Sequence, residues 1–148
     1  MPIFEKLRAL SVALILLAPT AAWAGPAEEA NELIDRWAAA YNSGDPDVVA
    51  KLYTPDATLL GTVSPIISEG PGAIRDLFSK RPSGSTNTIG ERRTIVIADN
   101  AVVVTGFYDF DRKSTRLSVP MRARFTMLLV KRDGEWRIAH HHSSPRRY

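Results

Sequence analysis

The chain has 148 residues, 45% of them hydrophobic and 24% charged, with a formal net charge of +3 and no cysteine. Such a composition describes a domain of ordinary size with a core of its own, and it excludes disulfides, cysteine nucleophiles, thiolate metal sites and thiol redox pairs. Any resident metal would have to be held by His, Asp or Glu.

At the front, Lys6 and Arg8 precede the apolar run ALSVALILLAP, and AAWAG follows with Ala22 and Ala24 in the small-residue pattern of a signal-peptidase site. Residues 1–24 therefore read as a signal peptide cleaved after Ala24, leaving residues 25–148 as one domain in the periplasm or outside the cell. The run is shorter than the ~20 residues a membrane-spanning helix needs, so no membrane association is expected after cleavage. Without the leader, 17 basic residues face 15 acidic ones, unevenly spread: residues 26–56 carry seven acids and two bases, residues 112–148 ten bases and two acids. Much of the basic charge alternates with core residues or lies in the tail. That is unlike an aromatic-interleaved nucleic-acid stripe, and attraction of an anion or contact between oppositely charged surfaces fits better.

PAEEANELIDRWAAAYNSGD places Ala30, Leu33, Ile34, Trp37, Ala38 and Tyr41 at helical spacing, with Glu28, Glu29, Glu32 and Asp35 off that stripe. Gly44 is suited to end this helix in a left-handed conformation. Asp45 and Pro46 then supply the cap and first-turn proline of a second, shorter helix carrying Val48, Val49, Leu52 and Tyr53, which Pro55 stops. ATLLGTVS reads as a strand, and GPGAIRDLFSKR as a helix with Ile74, Leu77 and Phe78 on one side. NTIGERRTIVIA, NAVVVTGFYDF, SVPMRARFTMLLV and GEWRIAHHHSS follow as four strands. Asp99-Asn100 and Asp133-Gly134 carry turn chemistry, and residues 111–117 form a longer polar connection. This order predicts an α+β domain in which helices cover one face of a curved, mainly antiparallel sheet.

The segments DRWAAAYNSGDPDVVAKLYTPDATLLGTVSP, GPGAIRDLF and RARFTMLLVKRDGEWRIAHHHSS, in that order, resemble the SnoaL-like, or nuclear transport factor two-like, superfamily. Within it the chain is most similar to bacterial proteins resembling the association domain of calcium/calmodulin-dependent protein kinase II, the SgcJ/EcaC family. The resemblance implies a cone-shaped sheet wrapped around the long first helix, a pocket at the wide end, and self-association as a dimer or larger ring through the sheet. It implies no single reaction, because the superfamily spans enzymes and noncatalytic assembly domains. Steroid-isomerase-like members use a tyrosine and an aspartate whose positions fall here near Trp37 and Gly61, so that arrangement is not available. The kinase-associated domain has arginines in its cavity, but the one following its last histidine is matched here by Ser143.

Strand alternation divides the terminal histidines. It sets His140 and His142 with Trp136 and Ile138 on one face, and His141 with Ala139 and Ser143 on the other. A His-x-His pair can bind a transition metal, but no third ligand motif accompanies this one, and no metal is assigned. Arg122 and Arg124 alternate with Met121, Ala123, Phe125 and Met127, which sets the arginines opposite the core unless sheet curvature turns Arg124 into the open end. No Ser-His-Asp spacing, glycine-rich phosphate loop or dinucleotide fingerprint appears, so no cofactor is expected. Two readings of different class follow. One is an exported ligand-binding oligomer in which Tyr41, Tyr108, Arg124, His141 and Ser143 recognise a small anionic or carbonyl-bearing molecule. The other is a cofactor-independent lyase, isomerase or hydrolase using a pocket histidine, His141 being the candidate catalytic residue, with Arg124 stabilising negative charge. A noncatalytic assembly scaffold is the third alternative.

Overall fold

A computed structural model describes residues 24–111 and 120–146. Helix α1 (Pro26–Ser43) buries Ala30, Leu33, Ile34, Trp37, Ala40 and Tyr41, so the stripe is as expected except that Ala40 is buried where Ala38 is half-buried. Gly44 ends it at φ 88°, in the left-handed region, with its N–H donating to the Tyr41 carbonyl at 3.3 Å. The Asp45 carboxylate accepts from the Asp47 N–H at 2.8 Å and starts α2 (Pro46–Ala50).

Beyond this point the structure departs from the periodicity. Helix α2 ends at Ala50, and Tyr53, expected on its apolar face, opens strand β1 (Tyr53–Leu60) instead. The cause is tertiary: the Ile138 N–H donates to the Leu52 carbonyl at 2.8 Å, and Tyr53 pairs with Ile138, which draws the backbone into the sheet before another helical turn can form. The expected strand over residues 57–64 is thus shifted toward the N-terminus. Gly61–Ser64 is a turn closed by Ser64 N–H to Gly61 carbonyl at 3.1 Å, and a short strand β2 (Ile67–Glu69) pairs antiparallel with β1. Helix α3 (Gly70–Ser79) buries Ile74 and Phe78, as its spacing predicts.

The four strands that follow are β3 (Thr86–Ala98), β4 (Ala101–Asp111), β5 (Met121–Arg132) and β6 (Glu135–Pro145). They form an antiparallel meander, and β6 continues into a parallel pairing with β1, giving the order β2-β1-β6-β5-β4-β3. The β5–β6 hairpin turns on Asp133 (φ 53°) and Gly134 (φ 81°), both left-handed, the geometry that matches strand twist in a two-residue loop. The polar connection expected at 111–117 lies, beyond Asp111, outside the described residues. Curvature is built into the β3–β4 pair, where the register slips between Ile89 and Arg92. Gly106 sits opposite this bulge, where a Cβ atom would come within 2.6 Å of the Glu91 carbonyl oxygen. Helix α1 packs against β3, β4 and β6, and between them lies a core that includes Val102, Val104, Met127, Leu129 and Ile138. The result is an α+β fold with a curved, open, mostly antiparallel sheet around a long N-terminal helix.

Candidate functional site

The inner face of β6 does not follow simple alternation. Leu129 pairs with Ile138 and Leu128 with His140, so Ala139 is an extra residue, a β-bulge that shifts the side-chain phase by one. Trp136, Ile138, His141 and Ser143 are consequently all buried, while His140 is half-buried and His142 exposed. The division of His141 and Ser143 from His140 and His142 holds. The expectation that His140 and His142 share the face of Trp136 and Ile138 is corrected, because uninterrupted alternation cannot foresee the bulge. Position 141 is thereby placed inside the cone.

There it completes a chain of aromatic hydrogen bonds. Trp37 Nε1–H donates to the Tyr53 hydroxyl at 2.9 Å, that hydroxyl lies 2.8 Å from His141 Nδ1, and His141 Nε2 lies 3.2 Å from the Tyr108 hydroxyl. An indole nitrogen only donates. Tyr53 accepts from it and so has its own proton to give to Nδ1, which places the imidazole proton on Nε2, donating to Tyr108. This order satisfies every buried donor, as a fully enclosed polar chain requires. Burial lowers the proton affinity of His141 to a pKa of about 3, with the neighbouring His140 and His142 adding to the effect. Burial likewise pushes the Tyr108 hydroxyl well above the ordinary tyrosine range, against hydrogen bonding with Ser143 and Thr62. Tyr53 is raised for the same first reason, burial, with the Trp37 hydrogen bond opposing it. All four groups are neutral across the physiological range.

The chain opens onto a cavity of about 390 Å³. Trp37 and Tyr41 come from α1, Leu59 from β1, Gly61 and Thr62 from the turn after it, Leu77 and Phe78 from α3, and Tyr108 and Phe110 from β4. Ser143 lies on the wall beside His141, its hydroxyl bonded to that of Thr62. The wall is therefore apolar and aromatic around one cluster of hydroxyls, those of Tyr108, Thr62 and Ser143. Lys80 and Arg81 line the same cavity, with the Arg81 guanidinium carbon 4.5 Å from the centre of the Tyr41 ring and its Nη1 donating to the Tyr41 carbonyl. Arg81 thus caps α1 and walls the cavity at once.

Of the five residues expected to meet, Tyr41, Tyr108, His141 and Ser143 do so. Arg124 does not: it is exposed on the outer sheet face beside Phe107, Thr126, His142 and Ser144, where strict alternation from Phe125 carries it. Asp109 also lies off the cavity wall, pairing across the sheet with Arg122. Sequence reasoning missed Tyr53, Thr62, Lys80 and Arg81. Tyr53 carried a misleading helical signal; Thr62 and Arg81 carry no spacing signal because the groups they bond, Ser143 and Tyr41, lie 81 and 40 positions away in the chain, and Lys80 reads as an ordinary exposed helix-end lysine. His140 Nδ1 lies 2.7 Å from the Thr58 hydroxyl on the outer face. Among the described residues, no group of three or more His, Cys, Asp or Glu side chains is assembled for a metal.

The profile of the SnoaL-like domain matches residues 30–148. A protein from Xanthomonas campestris assigned as a calcium/calmodulin-dependent protein kinase II association domain is 33% identical, with a TM-score of 0.74 over 80% of this chain and 86% of that one. A nuclear transport factor two-like protein with a cystatin-like fold from Novosphingobium aromaticivorans superposes with a TM-score of 0.70 at 18% identity, over 80% of each chain. A protein from Streptomyces avermitilis assigned as a dehydratase of the same fold family gives 0.73 at 14% identity, over 83% of this chain and 97% of that one. No curated protein sequence matches the chain.

Proposed function

The chain belongs to the SnoaL-like domain family, and we propose that it is an exported protein that binds a small, largely apolar molecule through an oxygen atom held by the Tyr108 hydroxyl. The nuclear transport factor two-like fold commonly holds small-molecule ligands, and a concave apolar cavity with a few convergent polar groups is the usual form of such a site. The observation that carries the reading is the Tyr108 hydroxyl on the cavity wall, 3.2 Å from His141 Nε2: with the ring proton on Nε2, as the Trp37–Tyr53 bond requires, His141 donates to Tyr108 and the phenol proton is left for Ser143, Thr62 or a bound oxygen. A carbonyl or ether oxygen in the cavity would find a neutral, oriented donor in a setting from which water is largely displaced.

A histidine-driven lyase, isomerase or hydrolase is the weaker reading on the same geometry. Both ring nitrogens of His141 are engaged by tyrosines, and its depressed proton affinity keeps it neutral, so a proton would reach a ligand only by way of Tyr108. Export rests on the character of residues 1–24. Self-association is supported by the outer sheet face, where Val103, Leu128 and Val130 are only half-buried and Ile95 is 51% exposed.

Titration with 2-acetylnaphthalene and its oxygen-free counterpart 2-ethylnaphthalene tests the binding mode. The ketone should bind about 5–10-fold tighter, as one net hydrogen bond allows, and Tyr108→Phe should erase that difference. Gly61→Val should block both compounds, because a Cβ at Gly61 already meets Leu77 Cδ2 at 3.0 Å. Equal affinities for the two compounds, or indifference to Gly61→Val, would refute the proposal.

A further inference from the structure

The cavity is electrostatically one-sided. Its wall includes two cationic side chains, Lys80 and Arg81, and no carboxylate among the described residues, while its hydroxyl cluster and imidazole are neutral. Lys80 is exposed, and its ammonium has no hydrogen-bond or ion-pair partner among the described residues; Arg81 is half-buried. Both follow the last turn of α3, Lys80 exposed and Arg81 half-buried, whereas Trp37, Leu59, Tyr108, His141 and Ser143 of the same wall are buried.

Arg81 is not simply a helix cap. Its Nη1 is committed to the Tyr41 carbonyl and one guanidinium face is laid on the Tyr41 ring. A guanidinium has five N–H donors, and these contacts use one edge and one face. The stacking fixes the plane, so the remaining donors are held in position before a ligand arrives, which lowers the entropic cost of binding. The anion-recognising group expected at Arg124 is absent from this cavity, and Arg81 with Lys80 stands in its place, contributed by a different element.

Resting on the reading of the cavity as a ligand site, we infer that the ligand is an amphiphilic monocarboxylate: a ring-sized apolar body with an oxygen acceptor at the Tyr108 end and a carboxylate held by Arg81 and Lys80. The neutral hydroxyl cluster reads the acceptor, Trp37, Leu59, Leu77 and Phe110 enclose the body, and the paired cations select the charged end. One carboxylate suits the guanidinium edge and ammonium available, since a carboxylate takes two or more parallel donors. Solvent exposure of Lys80 makes its share of the attraction dependent on salt.

The test compares 4-(2-naphthyl)-4-oxobutanoate with its methyl ester, two molecules that share an aryl ketone and differ in the charge at one end. The acid should bind at least about 10-fold tighter than the ester at low ionic strength, with the preference shrinking as salt rises. Lys80→Gln should reduce the preference about 3-fold and Arg81→Gln should remove most of it. Because Arg81→Gln also loses a helix cap, Lys80→Gln and the charge-reversing Lys80→Glu carry the test if the arginine variant fails to fold. Equal affinities for acid and ester in the wild type, with both displaced by Gly61→Val, would overturn the carboxylate assignment and leave the ketone site standing. Failure of both compounds to bind, or binding that ignores Gly61→Val, would overturn the ligand-site reading and this inference with it.

Discussion

The Tyr53 hydroxyl lies 2.8 Å from Nδ1 of His141, although 88 positions separate the two in the chain. The same oxygen accepts from Trp37, so one atom orders the first helix, the first strand and the last strand around a single buried contact. A Tyr53→Phe substitution keeps the ring but leaves Trp37 Nε1–H and His141 Nδ1 without their partner. At about 1–3 kcal/mol for each of the two stranded groups, the loss of stability should be about 2–6 kcal/mol in urea unfolding. Tyr108→Phe should cost less, since the hydroxyl it removes adjoins a cavity that water can enter. A Tyr53 variant no less stable than the Tyr108 variant would contradict the hydrogen-bond order.

Acid should weaken the fold through His141. Its pKa falls from an ordinary 6.5 to about 3 on folding, so between those values the unfolded chain binds a proton that the folded one does not. The stability contributed by keeping the ring neutral is present in full above about pH 6.5 and is lost as pH falls toward 3, at up to about 1.4 kcal/mol per pH unit. His140, also lowered by burial, acts in the same direction. The lowered carboxyls of Glu29, bonded to Lys131 and Trp136, and of Asp56, beside Thr54 and bonded to Arg132, add their losses only below the carboxylate range. Denaturation between pH 4.5 and 6.5 should therefore show a slope about one proton shallower in His141→Gln than in the wild type. Parallel slopes would mean that His141 titrates normally.

The bulge at Ala139 can be removed without inverting the site. Deleting that residue makes the pairing of β6 with β5 continuous, and regular alternation from Ile138 then still sends His141 and Ser143 inward. The deletion variant should fold, lose no more than about 1–2 kcal/mol, and keep its affinity for the aryl ketone. An unfolded or non-binding product would show that the bend itself, with the offset between Tyr53 and Thr58 on β1, shapes the cavity.

Self-association through the outer sheet face predicts that Leu128→Glu gives monomers, read by light scattering or native mass spectrometry, with ketone binding retained. A wild-type protein that stays monomeric at working concentration would remove the oligomer from the proposal. Export predicts a mature product whose mass begins at Gly25, the residue that caps α1.

How much of this was legible beforehand follows the range of the forces involved. The buried stripe of α1, the left-handed stop at Gly44, the Asp45 cap and the Asp133-Gly134 hairpin are local stereochemistry: each depends on residues a few positions apart, and the order of elements they punctuate led to an α+β fold with helices on one face of a curved sheet, the wrapping around α1 coming from the family resemblance. Tyr41, Tyr108, His141 and Ser143 do meet at one cavity, but uninterrupted alternation sets His141 and Ser143 opposite Trp136 and Ile138, and it is the bulge at Ala139 that brings all four β6 side chains to the buried face. Tyr53 shows where local spacing ends. Its helical spacing was real, yet a hydrogen bond from Ile138 to the preceding carbonyl overrode it, and the polar chain it anchors joins residues that no window of sequence holds together. Arg124 and Arg81 make the same point in opposite senses. The sequence alone determined that a cationic group exists on each element, but only the packing of α3 against the end of α1 decided which of them borders the cavity, because charge follows the side chain and position follows the tertiary contacts.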